Sequence, residues 1–184
     1  MKRQMLMILG LAVIGGLFMG AFQEAVAAPE LIGAPKCKMC HGSKTGDQYK
    51  IWGGSAHAGA FETLGTPEAK KIAEEKGVGD PQKAADCLKC HATQAFLGGD
   101  VKVNAKGKYA DAEGVGCEAC HGAGSDYKSK KVMVDHDAAV AAGMIIPKGA
   151  EFCQKCHNET SPTFKAFDYE KQWAAIAHPV PEKK

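Results

Sequence analysis

Ordinary core-forming residues are scarce in this chain. After residue 27, isoleucine, leucine, valine and phenylalanine number 6, 4, 8 and 5. Those 23 of 157 residues, about 15%, are too few for side chains alone to fill a domain interior. Charge of one sign is also lacking, since residues 28–184 carry 21 basic against 20 acidic side chains. That balance removes the electrostatic case for nucleic acid or an anionic membrane as partner, and the scattered lysines read as solvated surface. It equally removes the case for a disordered polyelectrolyte. No Gly-rich phosphate loop, Ser-His-Asp set or paired-carboxylate constellation stands out, and no regular internal repeat. No cysteine lies outside one five-residue pattern. Something other than side chains has to complete the interior.

One long apolar run is present, Met5 to Phe22, behind Lys2 and Arg3 and ahead of "QEAVAAPE". A basic start, an apolar middle and a small-residue end predict a signal peptide over residues 1–27. Ala25 and Ala27 satisfy the A-x-A rule for a cut before Ala28, whereas a cut one residue later would put Pro29 at the scissile bond. The alternative, an uncleaved anchor, asks a run just short of a comfortable membrane span to serve as one. No cysteine near the cut offers a lipid anchor, and no second apolar stretch could span a bilayer. The expected product is an exported, periplasmic domain of residues 28–184.

The pattern that uses all eight cysteines is C-x-x-C-H, in four copies: Cys37, Cys40 and His41; Cys87, Cys90 and His91; Cys117, Cys120 and His121; Cys153, Cys156 and His157. An exported chain with an even number of cysteines invites a disulfide reading. Pairing within each unit, however, would close only a tiny loop and stabilise little. Structural zinc needs two C-x-x-C units per ion and has no use for a histidine after every one. The motif is that of c-type haem attachment: two thiols form thioethers with neighbouring edges of one porphyrin, and the adjacent histidine ligates its iron. Four covalent haems, about one per 40 residues, would supply the missing apolar interior and would have to lie close together.

Three further histidines, His57, His136 and His178, are candidate second axial ligands. Ser55 is read as the cap of a short helix ended by Gly65, with His57, Phe61 and Leu64 on one face. Asp135 is read as a cap and Gly143 as a stop, so that His136 opens a helix whose N-terminus disfavours the imidazolium. His178 is read as closing a helical stretch that begins at the cap Asp168 and stops at Pro179. Helices are also expected after Thr66 and after Asp80, each cap being followed by proline, with a loop or small hairpin between Gly98 and Gly116. Three distal histidines cannot serve four irons, so at least one iron lacks bis-histidine ligation. Met133 or Met144 fills that position, or it stays empty or water-bound and open to a small molecule, the favoured reading because methionines in a short apolar stretch more often serve packing.

The pieces "WGGSAHA", "CLKCHAT", "GVGCEACHGAGSDY", "CQKCHNETSPTFK" and "IAHPVP" make the chain resemble the 554-type tetrahaem cytochrome c family across nearly all of residues 28–184. The resemblance implies a mainly α-helical multihaem cytochrome c with short helices and loops organised around its haems. It also implies haems in stacked pairs, a periplasmic electron-carrier role, three bis-histidine haems and one five-coordinate haem. By the same resemblance the five-coordinate iron belongs to the motif of Cys87, Cys90 and His91, and distal roles pass to His57, His178 and His136. One departure bears on this: the family can draw a distal histidine from between the second and third motifs, and residues 92–116 contain none. The pairing therefore stays open, with the haem of His41 as the other place for the vacancy.

Three functions follow as expectations. The first is an electron carrier between a donor and an acceptor redox protein. The second is an oxidoreductase acting on a small nitrogen or oxygen species at the open haem, with Glu113, Glu118 and Asp126 as acid-base candidates, positions where acidic residues are usually surface charge. The third is a subunit of a conducting filament.

Overall fold

The computed structural model describes residues 27–180, and the expected leader segment 1–27 lies outside the described residues but for its last position. Eleven short α-helices carry the fold among these residues: α1 (Ala34–Cys37), α2 (Gln48–Gly53), α3 (Ala60–Thr63), α4 (Pro67–Lys76), α5 (Ala85–His91), α6 (Thr93–Phe96), α7 (Cys117–His121), α8 (Lys130–Met133), α9 (His136–Ala141), α10 (Gly149–Cys153) and α11 (Tyr169–Ile176). Two 3-10 turns, Ser43–Thr45 and Asp111–Glu113, interrupt the loops. The mainly helical class expected from the sequence is observed.

Where local chemistry supplied a cap, the helix starts where the sequence says. Thr66 accepts from the Ala69 amide at 3.2 Å ahead of Pro67, and Gly77 closes α4 in the left-handed region at φ 65°. Asp135 accepts from the amides of Asp137 and Ala138, both at 3.1 Å, so His136 opens α9. Asp168 caps α11 through Lys171 N at 3.2 Å.

Two expectations are corrected, and one open alternative is decided for the loop. Ser55 caps nothing: its hydroxyl donates to Trp52 O at 2.6 Å, and the helix begins only at Ala60, leaving His57 in the turn before it. The proline after Asp80 opens a turn rather than a helix, because extended Ala84 (ψ 121°) delays α5 until Ala85. Between Gly98 and Gly116 there is no hairpin. That loop instead pairs with the segment ahead of α1 through a parallel bridge between Leu31 and Val103. Leu31 N donates to Lys102 O and Asn104 N to Leu31 O, both at 2.8 Å.

The interior is small and rich in alanine. Its apolar members among the described residues are Leu31, Ile32, Leu64 and Tyr127 with alanines 34, 73, 92, 119 and 139. Three polar side chains, Gln48, Thr93 and Glu118, are buried with them. Large apolar side chains such as Met39 and Val134 meanwhile stand 76% and 67% exposed. The shortage legible in the composition is thus also a shortage in the fold.

A chain of four attachment turns

Each C-x-x-C-H unit closes one helical turn. In α5 and α7 the whole pentapeptide is helical. In the first and fourth units the helix ends at the leading cysteine and the histidine amide returns to it, His41 N to Cys37 O at 2.9 Å and His157 N to Cys153 O at 3.0 Å. Side chains at i, i+3 and i+4 of a turn share a face, so both thiols and the imidazole of each unit point the same way.

The first three turns are drawn together by packing of α1 and α6 on α7, and of α3 and α6 on α5. Their thiols record the adjacency. Contact with Cys117, with burial behind it, pushes Cys37 upward, and the same contact draws Cys117 below the usual thiol range. Burial and then the neighbouring Cys153 thiol push Cys120 up to about 11. Burial and then the Cys90 thiol beside it push Cys156 up to about 12. The first turn therefore meets the third, the third meets the fourth, and the fourth meets the second. Phe96 and Phe152, 6.3 Å apart edge to face, tie α6 to α10 along the last of these joins, and Lys155 lies over both rings.

Imidazoles far apart in the chain face each other across this array. His57 and His157 stand 5.9 Å apart between ring centroids at 72°, and Phe167 stacks on His157 at 5.1 Å. His121 and His178 stand 5.8 Å apart at 46°. Burial first, and a neighbouring imidazole second, holds His57 below the usual histidine range, with His157 as that neighbour. His41 is lowered in the same way by burial and then His178. Burial leads again for His121, with His178 and His41 adding to it. His157 is lowered by burial alone. Neutral imidazole is the form that ligates a metal.

Two of the motif histidines are also oriented from behind. Nδ1 of His91 lies 2.7 Å from Ala60 O, and Nδ1 of His121 lies 2.9 Å from Ile145 O. A proton on Nδ1 donated to a carbonyl leaves Nε2 as the free donor. His136 sits apart, exposed, with Nδ1 3.2 Å from the Asp137 carboxylate. Met133 ends α8, and Met144 precedes the Ile145 carbonyl that holds His121.

These residues fit covalent haem. All eight thiols are free, and all but exposed Cys40 are half-buried. His57 with His157, and His121 with His178, are the imidazole pairs that would be available to hold an iron between them. Among the described residues no three His, Cys, Asp or Glu side chains converge as a metal-holding group.

Sequence reasoning weighed Glu118 only as an acid-base candidate and passed over Gln48, and both prove to be supporting residues. Glu118, in a free position of the third motif, is fully buried rather than surface charge. Its carboxylate accepts from Ile32 N (2.9 and 3.1 Å), Gly33 N (2.7 Å) and Gly124 N (2.6 Å), fastening the segment before the first motif to the third. Gln48 donates from Nε2 to Pro179 O at 3.0 Å, and Pro179 packs over Gly46. The residue next to His178 is thereby latched to the loop after the first motif. Asp126 is exposed, and Glu113 is half-buried beside Ala34, whose amide its Oε2 accepts at 3.0 Å.

Four thiol-thiol-imidazole turns on a helical frame define the class as a c-type cytochrome, with haem c held covalently. Residues 36–122, which hold the first three motifs, match the family model for cytochrome c554 and c-prime. The chain is 30% identical over 149 residues to cytochrome c-554 of Nitrosomonas europaea, covering 73% of this chain and 60% of that protein's length. No solved structure matches. The chain belongs to the cytochrome c554 family.

Proposed function

We propose that the chain is an exported, periplasmic tetrahaem c-type cytochrome that transfers electrons between a donor and an acceptor redox protein. The observation that carries this reading is the unbroken series of attachment turns, first to third to fourth to second, joined by Cys37 with Cys117, Cys120 with Cys153, and Cys156 with Cys90. When bound, each haem supplies reversible one-electron exchange at iron. The polypeptide's part is to hold the four sites close, exclude water between them and fix their axial ligands. Cys37, Cys40, Cys87, Cys90, Cys117, Cys120, Cys153 and Cys156 make the thioethers, and His41, His91, His121 and His157 are the proximal ligands. His57 completes the fourth site opposite His157, as their facing rings support. His178 neighbours both His41 and His121 and serves one of them, leaving His136 for the other. Localisation outside the cytoplasm rests on the leader segment and on haem attachment itself. Among the described residues no helix is long and apolar enough to cross a membrane. A haem count on the purified protein should return four per chain, with fully reversible reduction on an electrode. Fewer than four, or irreversible reduction, would refute the reading.

A second reading rests on His91. Its ring is held by Ala60 O, and among the described residues no imidazole is paired with it, in contrast to His121 and His157. The second site is then five-coordinate and takes a small nitrogen or oxygen species. A high-spin ferric signal that vanishes on adding nitric oxide is the expected result, and four low-spin signals indifferent to it would exclude this reading.

A further inference from the structure

Two carboxyl groups approach the Ile32–Ala34 segment from opposite conditions. Glu118 has every donor it needs, as described above. Glu113, on the 3-10 turn ahead of the third motif, has one: Oε2 takes the Ala34 amide, while Oε1 is buried and receives no hydrogen bond. That orphan oxygen lies over Gly116, where any β-carbon would collide with it, one residue ahead of Cys117. On its other side Ala34 begins α1, which ends at Cys37. Glu113 is therefore wedged between the first and third attachment turns, and it feels both thiols.

A buried carboxylate oxygen with no donor strongly disfavours the ionised form. Glu113 is pushed up to about 7, by burial first and then by the charges of Glu118 and Asp111, with the Ala34 amide pulling the other way. The groups facing it are Asp111 on its own turn, Glu118 from α7, the Tyr109 phenol ahead of the turn, and Cys37 and Cys117, which carry no proton once they are thioethers. One proton can thus be gained or lost near neutrality beside the join of the first and third attachment turns.

We propose that Glu113 is the proton acceptor coupled to electrons arriving at the first and third sites. This rests on the electron-carrier reading above. One electron from a one-electron reductant converts one iron(III) to iron(II), and the added negative charge draws one proton from water onto the Glu113 carboxylate, so charge at the pair is conserved. The sign follows: midpoint potential is flat at low pH, where Glu113 is already neutral. It falls through the neutral window, where reduction and protonation occur together, and flattens again where Glu113 stays ionised in both states. The slope cannot exceed about 59 mV per tenfold change in proton concentration, the limit for one proton per electron.

The test is spectroelectrochemical titration of the holoprotein from about pH 5 to about pH 9. Wild type should show the falling limb. Glu113→Gln, which keeps an acceptor for Ala34 N, should be flat at the acid plateau of wild type. Asp111→Asn removes a charge that raises Glu113, so it should keep the limb and move it to lower pH. Should Glu113→Gln not accumulate, the reduced-minus-oxidised infrared spectrum of wild type at neutral pH must show a protonated-carboxyl band gained on reduction and shifted in heavy water. A limb unchanged in Glu113→Gln, or no such band, overturns the proposal while reversible reduction still upholds the carrier. Irreversible reduction of wild type overturns both.

Discussion

Removal of the Glu118 carboxylate should unfasten the chain's N-terminal segment from its third motif. The side chain is 0% exposed and accepts from three backbone amides, those of Ile32, Gly33 and Gly124. In Glu118→Ala those amides lose their acceptor in a space closed to water. A buried donor left unsatisfied costs about 1–3 kcal/mol, and bonds to a charged acceptor lie in the upper part of that range. Three such donors give a loss of at least ~3 kcal/mol, a large fraction of the stability of a domain this size. Glu118→Gln keeps one acceptor oxygen but turns an NH2 group toward amide donors, and should lose about 2 kcal/mol. Guanidinium unfolding of the holoprotein, followed by far-ultraviolet circular dichroism, reads this directly: the midpoint falls and the slope m is unchanged. Because His121 keeps its carbonyl partner, Ile145 O, the ferric spectrum of the folded variant should match wild type. A loss under about 1 kcal/mol in Glu118→Ala would mean that the amides find water, and the reasoning would fail.

Three further outcomes can be checked. His57→Ala should convert one low-spin haem to high spin in the ferric paramagnetic resonance spectrum and leave the rest unchanged, since among the described residues the imidazole beside His57 is that of His157. Gly114→Ala should destabilise by more than ~1 kcal/mol and add high-spin signal. Gly114 sits at φ 67°, ψ −136°, and a β-carbon there would come within 2.5 Å of the His57 carbonyl. Gln48→Ala should cost about 1 kcal/mol and speed amide exchange around Ala177, because the tether to Pro179 O is lost.

What the sequence made legible was whatever is decided within a few residues. Thr66, Asp135 and Asp168 cap as read because a side-chain oxygen and an amide two or three residues on need no help from elsewhere. Ser55 presents the same chemistry and fails, since the chain runs through turns after it and no helix begins until Ala60. The attachment units could be read because their spacing is the chemistry itself. Long-range partners could not. Glu118 meets the amides of residues 32 and 33 from 86 and 85 positions away, Gln48 meets residue 179 from 131 away, and His57 and His157 are 100 numbers apart. No periodicity carries that information. It also explains why the sequence could count the candidate distal histidines without pairing them.

The short helices and the small core have one cause. Most of the eleven helices have four to six residues, far below the length at which a helix persists alone in water, so tertiary contact must hold them. The buried apolar set is mainly alanine, which supplies little contact. Two features replace a conventional core here. The first is backbone-to-side-chain bonding across long sequence distances, through Glu118, Thr93 and Gln48, which fixes loops that would otherwise be free. Thr93 shows the economy of it: its hydroxyl accepts from Gly116 N at 2.8 Å and donates to Gly114 O at 3.0 Å, docking the loop that delivers the third motif. The second is the attachment chemistry, which fastens one flat apolar group to both ends of a helical turn. On the tetrahaem reading proposed above, each turn would then have a hydrophobic partner that no side chain in this sequence could provide, and bringing four turns together would bring four redox centres together. On that reading the demand for a core and the demand for a conducting path are met by the same groups.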